Sequence, residues 1–587
     1  MTPTAKIFSM TKPWVDGLTI GAALAETAKR FPGRDAIIFP AAGVRMNYAE
    51  FHAAVRNAAK GLLATGIKPG EHIGVWATNI PQWLLLQYAA ATAGIVLVTI
   101  NPAYRPFELS YTVTQSDIVA LFLTDTFKSS DYYAIFAEVC PEINSSPIRG
   151  EAGWGAKHGA AEQVSPHPNL PPKGEGISPD FPKLRRVVAL KPNAPKGFMA
   201  WDVMTEAGKK FKDSELDKIA ASLKAANVIN IQYTSGTTGF PKAVMLTHRN
   251  ILMNAWYVTG CQAITEKDRM CVPVPFYHCF GCVMGSLGAI VCGAAIIVPA
   301  EYFNAAATLE SIEKERCTTI YGVPTMFVAM LDDPSFKTRN FSSLRSGIMA
   351  GSPCPIEVMK KVVGEMGCRD ITIAYGQTET SPVTTQSNTS DPIELRVETV
   401  GRALPGVEIK IVDPNSDEEL GDNVQGELCA RGHGTMVGYY KNPEATAETI
   451  RDGWVHTGDL AVRRPDGCFR ITGRLKDMVI RGGENIYPRE IEEFLFTHPC
   501  VSQAAVFGVP DAKYGEELCA WVQLHHGKSA CEEDIRAFCK KSLAHYKVPR
   551  YVRFVSEFPT TVSGKIQKFK MRETMCEQLG LKEQKTA

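Results

Sequence analysis

The chain has 587 residues, 45% of them hydrophobic and 21% charged, with a formal net charge of +1. That length exceeds what one hydrophobic core usually fills, so at least two domains are expected. The composition is ordinary for a globular protein, and without a global basic field a nucleic-acid binder is excluded as the plain reading.

The first residues lack a basic stretch followed by an apolar one, so no signal peptide is expected. Sixteen cysteines are scattered without a framework. A chain of this size needs no disulfide staples, which points to a reducing, cytoplasmic compartment. Strand-like runs then alternate with helical ones through the first several hundred residues, beginning with His72–Trp76. This pattern predicts βαβ units and parallel sheet. Trp83–Ile100 is almost continuously apolar and approaches the roughly 18-residue length of a membrane helix. Gly94 interrupts it, so a buried helix ending at a glycine cap and a buried strand over 95–98 are expected, with no transmembrane segment.

Residues 145–179 are rich in Gly, Pro and charge and poor in aliphatics. Such a segment buries too little apolar surface to offset its ordering entropy, so a disordered insertion is expected. A partner-binding segment is the alternative. Val228–Tyr233 and Ala243–Leu246 read as two strands joined by a loop, followed by a helix with Thr247 as its N-cap. Cys279 and Cys282 form a C-x-x-C in apolar surroundings, without a second pair at zinc-ribbon spacing, and read as buried thiols. Val283–Ala300 is a second apolar run of the helix-to-strand kind, and Ile296–Val298 and Thr318–Tyr321 read as further strands. Beyond about Lys410 the runs shorten and are punctuated by Asp413-Pro414, Asp452-Gly453 and Asp466-Gly467, which predicts a small antiparallel piece. After Arg474 a compact βαβ pattern restarts, with a helix over 488–498 and a strand over 502–507.

The loop between the paired strands carries chemistry. Thr234, Ser235, Thr237 and Thr238 offer hydroxyl donors, Gly236 and Gly239 let backbone N–H groups turn toward an anion, and Lys242 adds a mobile positive charge. These are the needs of a loop that grips a polyphosphate. It is not a Walker loop, because Pro241 stands where that motif requires its second glycine and Ala243 follows the lysine. A Ser/Thr/Gly-rich turn with no ligand is the alternative.

YTSGTTGFPK at 233–242, YGQTE at 375–379, GWVHTGD at 453–459, GRLKD at 473–477 and PTTVSGKIQK at 559–568 stand in this order. Together they resemble the AMP-forming adenylating superfamily of acyl-CoA synthetases, peptide-synthetase adenylation domains and luciferases. Only the 145–179 segment falls outside the resemblance, and the text around VPFYHCFG and GIMAGSP is similar to medium-chain acyl-CoA synthetases. The resemblance implies an α/β fold. A large N-terminal domain, 1–475, would hold parallel-rich subdomains and the small antiparallel piece, and a small mobile α+β domain would span 476–587.

It also implies a reaction. A carboxylate attacks the α-phosphate of ATP, and CoA then displaces AMP from the acyl-AMP. The expected partners are therefore a small carboxylate, ATP, Mg²⁺ and CoA, with no nucleic acid. By resemblance, Tyr375, Gly376 and Gln377 meet the adenine, along with Gly351, Ser352 and Pro353. Thr378 meets the α-phosphate, and Glu379 ligates Mg²⁺, a hard cation suited to carboxylate. Asp459 takes the ribose, and Arg474 reaches the same ribose or the phosphate. His278 stands beside the acyl carboxylate, and Lys565 bridges carboxylate and α-phosphate. Lys476 is the hinge on which the small domain turns, and Gly482, Gly483 and Glu484 lie on the CoA side. Gly376 replaces the bulky Trp of acetate-specific relatives, so a pocket lined by Phe280, Val283 and Met284 and open to acids longer than propionate is expected. An aryl- or dicarboxyl-CoA ligase, an enzyme loading a carrier protein in trans and a nucleotide-binding regulator remain alternatives at this point.

Overall fold

A computed structural model describes residues 13–145, 177–234, 241–352, 354–482 and 484–581. Most of the 145–179 segment, all of Ser235–Phe240, and Pro353 and Gly483 therefore lie outside the described residues.

Two large sheets dominate. One has nine strands and the other eight. In the eight-stranded sheet, Val228–Thr234, Val96–Thr99, His72–Trp76, Ile118–Leu123 and Arg186–Ala189 run parallel side by side. In the nine-stranded sheet the parallel run is Asp370–Gly376, Ser346–Ala350, Thr319–Gly322, Arg269–Cys271, Ala295–Ile297 and Asp35–Phe39. Antiparallel strands flank these parallel runs, among them Val383–Gln386 on Asp370–Gly376 and Lys242–Thr247 on Val228–Thr234, while Met199–Ala200 adds in parallel beside Arg186–Ala189. The chain thus visits the nine-stranded sheet at Asp35–Phe39, builds most of the eight-stranded one, and returns.

The apolar run that mimics a membrane span folds as expected from its glycine. A helix covers Pro81–Ala93, and Gly94 caps it with φ +69°; the strand Val96–Thr99 follows. Nearly every residue of that helix is buried, which is why it shows no amphipathic face. Among the described residues no helix is long and apolar enough to cross a membrane. The second apolar run opens with wide, π-type turns over Phe280–Leu287, continues as the helix Gly288–Cys292, and ends in the strand Ala295–Ile297. The C-x-x-C cysteines are both buried there, and neither is in a disulfide.

Val407–Val412, Gln425–Gly432, Trp454–Arg463 and Phe469–Arg474 pair antiparallel, with Ile450–Arg451 at the edge. Past Arg474, the hairpin Val479–Arg481/Glu484–Ile486 and the long hairpin Val501–Asp511/Gly515–Leu524 form a separate sheet, which Tyr551–Phe554 joins in parallel. The helices Pro488–Phe496 and Glu532–Ser542 cover it. Its apolar residues form two clusters of their own, around Val506 and around Trp521. One strand-turn segment from this part reaches back. Val562 packs against the core under the eight-stranded sheet.

Candidate active site

Parallel strands place their following loops along one edge, and ligands of open α/β sheets collect there. Thr319–Gly322, Ser346–Ala350 and Asp370–Gly376 are neighbours in the nine-stranded sheet. Their carboxyl ends therefore bring together three loops: Val323–Thr325, Gly351-Ser352 and Gln377–Thr380. Gly351 has φ +90°, a region that favours glycine, and a Cβ there would lie 3.9 Å from Lys565 Cε and 4.0 Å from Phe280 Cδ1. The lysine near the carboxyl end of the chain is thus seated in the large domain.

A bonded network surrounds that point. Tyr375 Oη donates to Asp459 Oδ2 at 2.8 Å, and Arg474 Nε donates to Asp459 Oδ1 at 2.6 Å. Register explains the second bond, because Asp459 and Arg474 are direct cross-strand partners. Tyr439 Oη donates to Glu379 Oε1 at 2.8 Å, and Lys242 Nζ sits 4.9 Å from the centre of the same tyrosine ring. Thr378 and Glu379 are both buried, and Thr378 Oγ1 lies 3.8 Å from Cys279 Sγ.

His278 enters from the segment leading into the π-type turns. The backbone N–H of Phe280 donates to its Nδ1 at 3.2 Å. In the neutral ring the proton therefore resides on Nε2, leaving a donor for a substrate oxygen. Burial, aided by the Lys565 charge, pushes the His278 pKa down to about 3, so the ring is neutral at ordinary pH. Burial likewise pushes the neighbouring Cys279 thiol up to about 11. Lys565 is held below the ordinary lysine range, first by burial, with Arg474 in the same sense and Cys279, Asp459 and Glu379 opposing. Among the described residues its ammonium has no carboxylate at ion-pair distance. A desolvated cation in that condition gains from an incoming anion.

Two segments match the AMP-binding enzyme family, residues 24–440 to its main domain and residues 490–565 to its C-terminal domain. The chain belongs to the AMP-binding enzyme family. It is 49% identical to the acyl-CoA synthetase YngI of Bacillus subtilis over 564 residues, covering 96% of this chain and 98% of the relative. It is 41% identical to the mitochondrial medium-chain acyl-CoA ligase ACSF2 of Danio rerio, covering 98% and 92%. Among solved structures it resembles ATP-bound MatB from Rhodopseudomonas palustris, with a TM-score of 0.77 and 27% identity over 96% of this chain and all of that one. The anthranilate-CoA ligase AuaEII shares the fold, with a TM-score of 0.81 at 21% identity over 99% of this chain and all of that one. The protein is accordingly an AMP-forming acid-thiol ligase, an acyl-CoA synthetase of the AMP-binding family. Enzymes of this kind generally use ATP, Mg²⁺ and CoA.

Of the residues singled out from sequence, His278, Gly351, Tyr375, Glu379, Asp459, Arg474 and Lys565 share one site. Thr234 and Lys242 face each other across the strand pair as register partners, at the base of the loop whose Ser235, Gly236, Thr237, Thr238 and Gly239 lie outside the described residues. Ala243, next to Lys242, is buried in the apolar cluster under the eight-stranded sheet. Lys476 is in a short exposed 3₁₀ turn, Leu475–Asp477. Gly482 and Glu484 belong to an exposed hairpin turn. Gly482 N–H donates to Tyr514 O at 2.8 Å within the small domain, and Gly483 lies outside the described residues.

Gly376 has a steric reason of its own. A Cβ there would lie 1.8 Å from the Pro382 carbonyl oxygen and 2.9 Å from Thr384 N. The close approach of its own hairpin requires a glycine here, and a tryptophan could not be added without moving the backbone.

Sequence reasoning missed Tyr439, which holds Glu379 from 60 residues away. It also missed Glu427, which accepts from Gly458 N at 2.8 Å and bonds His456 Nδ1 at 2.9 Å, with Cys429 Sγ 3.4 Å from that nitrogen. This pair fixes the turn that presents Asp459. No local pattern announces either contact; the second follows from the pairing of Gln425–Gly432 with Trp454–Arg463.

Proposed function

We propose that this enzyme activates a medium-chain fatty acid, and that the residues gathered around Lys565 carry out the activation. The observation that carries the assignment of the site is the place of the Lys565 side chain beside Gly351, near His278 and Glu379, with no carboxylate at ion-pair distance among the described residues. The chain-length reading rests on the 41% identity to a relative named as a medium-chain acyl-CoA ligase.

A carboxylate oxygen attacks the α-phosphorus of ATP, the bond to the β-phosphate oxygen breaks, and acyl-AMP and pyrophosphate form. Lys565 neutralises the charge gathering between the carboxylate and the α-phosphate. His278, neutral with its proton on Nε2, donates to the acyl carboxylate. Thr378 donates to the α-phosphate. Asp459 has lone pairs left after its bonds to Tyr375 and Arg474, and these accept the ribose hydroxyls. Tyr375 presents its ring to the adenine, with Gly376, Gln377 and the Gly351–Pro353 loop around it. The loop from Thr234 to Lys242 receives the pyrophosphate.

Glu379 and Thr378 are hard oxygen donors, and Glu379 keeps one carboxylate oxygen beyond its bond to Tyr439. That donor set fits Mg²⁺, which binds through few protein ligands and lends positive charge to the phosphates.

We place the domain boundary at Lys476, between the antiparallel sheet ending at Arg474 and the separately cored sheet beginning at Val479. In the second half-reaction the small domain turns about Lys476 and withdraws Lys565, and the 482–484 turn comes to the CoA side. The CoA sulfur then attacks the acyl carbon and AMP leaves. The scattered, unpaired thiols support a reducing, cytoplasmic setting.

The test is CoA-dependent pyrophosphate release across acetate, medium-chain and long-chain fatty acids, malonate and benzoate. The highest kcat/KM is expected for a medium-chain acid. A maximum with acetate, malonate or benzoate would overturn the chain-length reading.

A further inference from the structure

The lysine that completes the site stands at the tip of a short hairpin. Thr561 N–H donates to Lys565 O at 2.8 Å and Gly564 N–H to Thr561 O at 2.9 Å, with Thr560 and Ile566 bridging behind them. Lys565 N–H also donates to Thr561 Oγ1 at 3.0 Å, and Thr561 Oγ1 lies 2.9 Å from Ser563 Oγ. The hairpin thus has internal bonds of its own. Where it meets the large domain, three contacts seat it. Thr325 Oγ1 donates to Gly564 O at 3.4 Å. Ser563 stands close to the hydroxyl of the buried Tyr277. Val562 packs against the apolar cluster under the eight-stranded sheet.

Gly564 reports how close the fit is. Its φ is +81°, and a Cβ there would stand 2.7 Å from Val323 Cγ2 and 3.0 Å from Thr325 Oγ1. Two demands thus fall on one glycine: the left-handed turn, and the approach to a side-chain surface of the other domain. Val323 and Thr325 follow the strand Thr319–Gly322, whose neighbour Ser346–Ala350 leads to Gly351. The seat and the adenine-side loop therefore leave the same sheet edge on adjacent strands.

We propose that Val323 and Thr325 form the receptor for the 561–565 hairpin, and that Thr325 is a positioning residue that sets Lys565 for acyl-AMP formation. The role rests on the reading of Lys565 given above. Thr325 touches neither reacting atom. It acts through the Gly564 carbonyl, one residue before the lysine, and only while the small domain is docked. Its contribution belongs to the first half-reaction alone.

The test uses the full-length enzyme and compares Thr325→Val, Thr325→Ser, Gly564→Ala and Gly564→Ala/Val323→Ala. ATP–pyrophosphate exchange reads the first half-reaction, and acyl-CoA formation from synthetic acyl-AMP reads the second. Thr325→Val keeps the shape and removes the donor. It should slow exchange by about three- to tenfold, the span of one neutral hydrogen bond. Thiol transfer should stay within twofold. Thr325→Ser, which keeps the hydroxyl, should restore exchange, whereas a role in packing alone would leave the serine variant impaired. Gly564→Ala should lower exchange further, because its methyl meets Val323 only in the docked state. Trimming Val323 should then recover part of the loss, which pure backbone strain at 564 would not allow. Equal loss in both half-reactions, or exchange unaltered by Thr325→Val, would overturn the proposal. A wild-type enzyme without acyl-AMP formation would instead sink the synthetase site itself, so the two failures are distinguishable.

Discussion

Lys565→Ala isolates the charge on which the site reading depends. The lysine reaches the large domain, with Cε 3.9 Å from where a Gly351 side chain would begin, and its ammonium lacks a carboxylate partner among the described residues. At a separation of about 4 Å and an effective dielectric of about 20, one charge pair is worth about 4 kcal/mol. That corresponds to about a thousandfold in rate. Arg474 and the loop donors retain some of the field, so the expected loss in acyl-AMP formation is about 10²- to 10³-fold, the range for removing one transition-state donor. Stability should not fall with it, because burial already disfavours the charged lysine. The assay runs ATP–pyrophosphate exchange in parallel with acyl-CoA formation from synthetic acyl-AMP, with the melting temperature as control. Thiol transfer should be spared, since the docked lysine has no part in that step. Lys476→Pro should show the reverse pattern, because proline fixes φ and obstructs the turn. Equal loss of both half-reactions in both variants would refute the alternation of domains, and unchanged exchange in Lys565→Ala would refute the placement of the lysine.

Three further outcomes follow from particular contacts. His248 is fully buried, accepts from Ile20 N–H at 3.1 Å through Nδ1, and has its pKa pushed by burial to about 3; His433 is likewise pushed to about 4. Both folded values lie below the unfolded one near 6.5, so their stability contribution is complete above that pH and is lost as pH falls toward the folded values. At pH 5 each should cost about 2 kcal/mol relative to pH 7, read from urea midpoints, and a pH-independent midpoint would refute the assignment. Gly376→Ala should destabilise by about 1–3 kcal/mol or more, since its methyl meets the Pro382 carbonyl; a variant with wild-type melting would show that the hairpin yields easily. Tyr439→Phe frees the Glu379 oxygen it holds and should raise the Mg²⁺ concentration for half-maximal activity about tenfold. An unchanged Mg²⁺ response would remove Glu379 from the proposed metal site.

Much of this protein is legible in its sequence because the deciding physics is local. Apolar runs, with Gly94 at a helix end and Thr247 at a helix start, mark elements that form where expected. Strand Val228–Thr234 and its partner are announced by two apolar runs around one polar loop. The five motifs identify the chemistry because charged and hydroxyl side chains sit beside glycines in a fixed order. What the chain could not disclose depends on which distant segments meet. Asp35–Phe39 pairs with Ala295–Ile297, about 260 residues away, a partnership no local pattern can announce. Gly376 reads as an open pocket floor, and only the return of the chain at Pro382 shows that no side chain fits. Tyr439, Glu427 and Thr325 carry no signature of their own, because a tyrosine, a glutamate or a threonine is commonplace until a partner stands 3 Å away. Lys565 needs tertiary structure most of all. In sequence it is a solvated lysine near a chain end; its lowered pKa and its place among Gly351, His278 and Glu379 exist only when the small domain is docked.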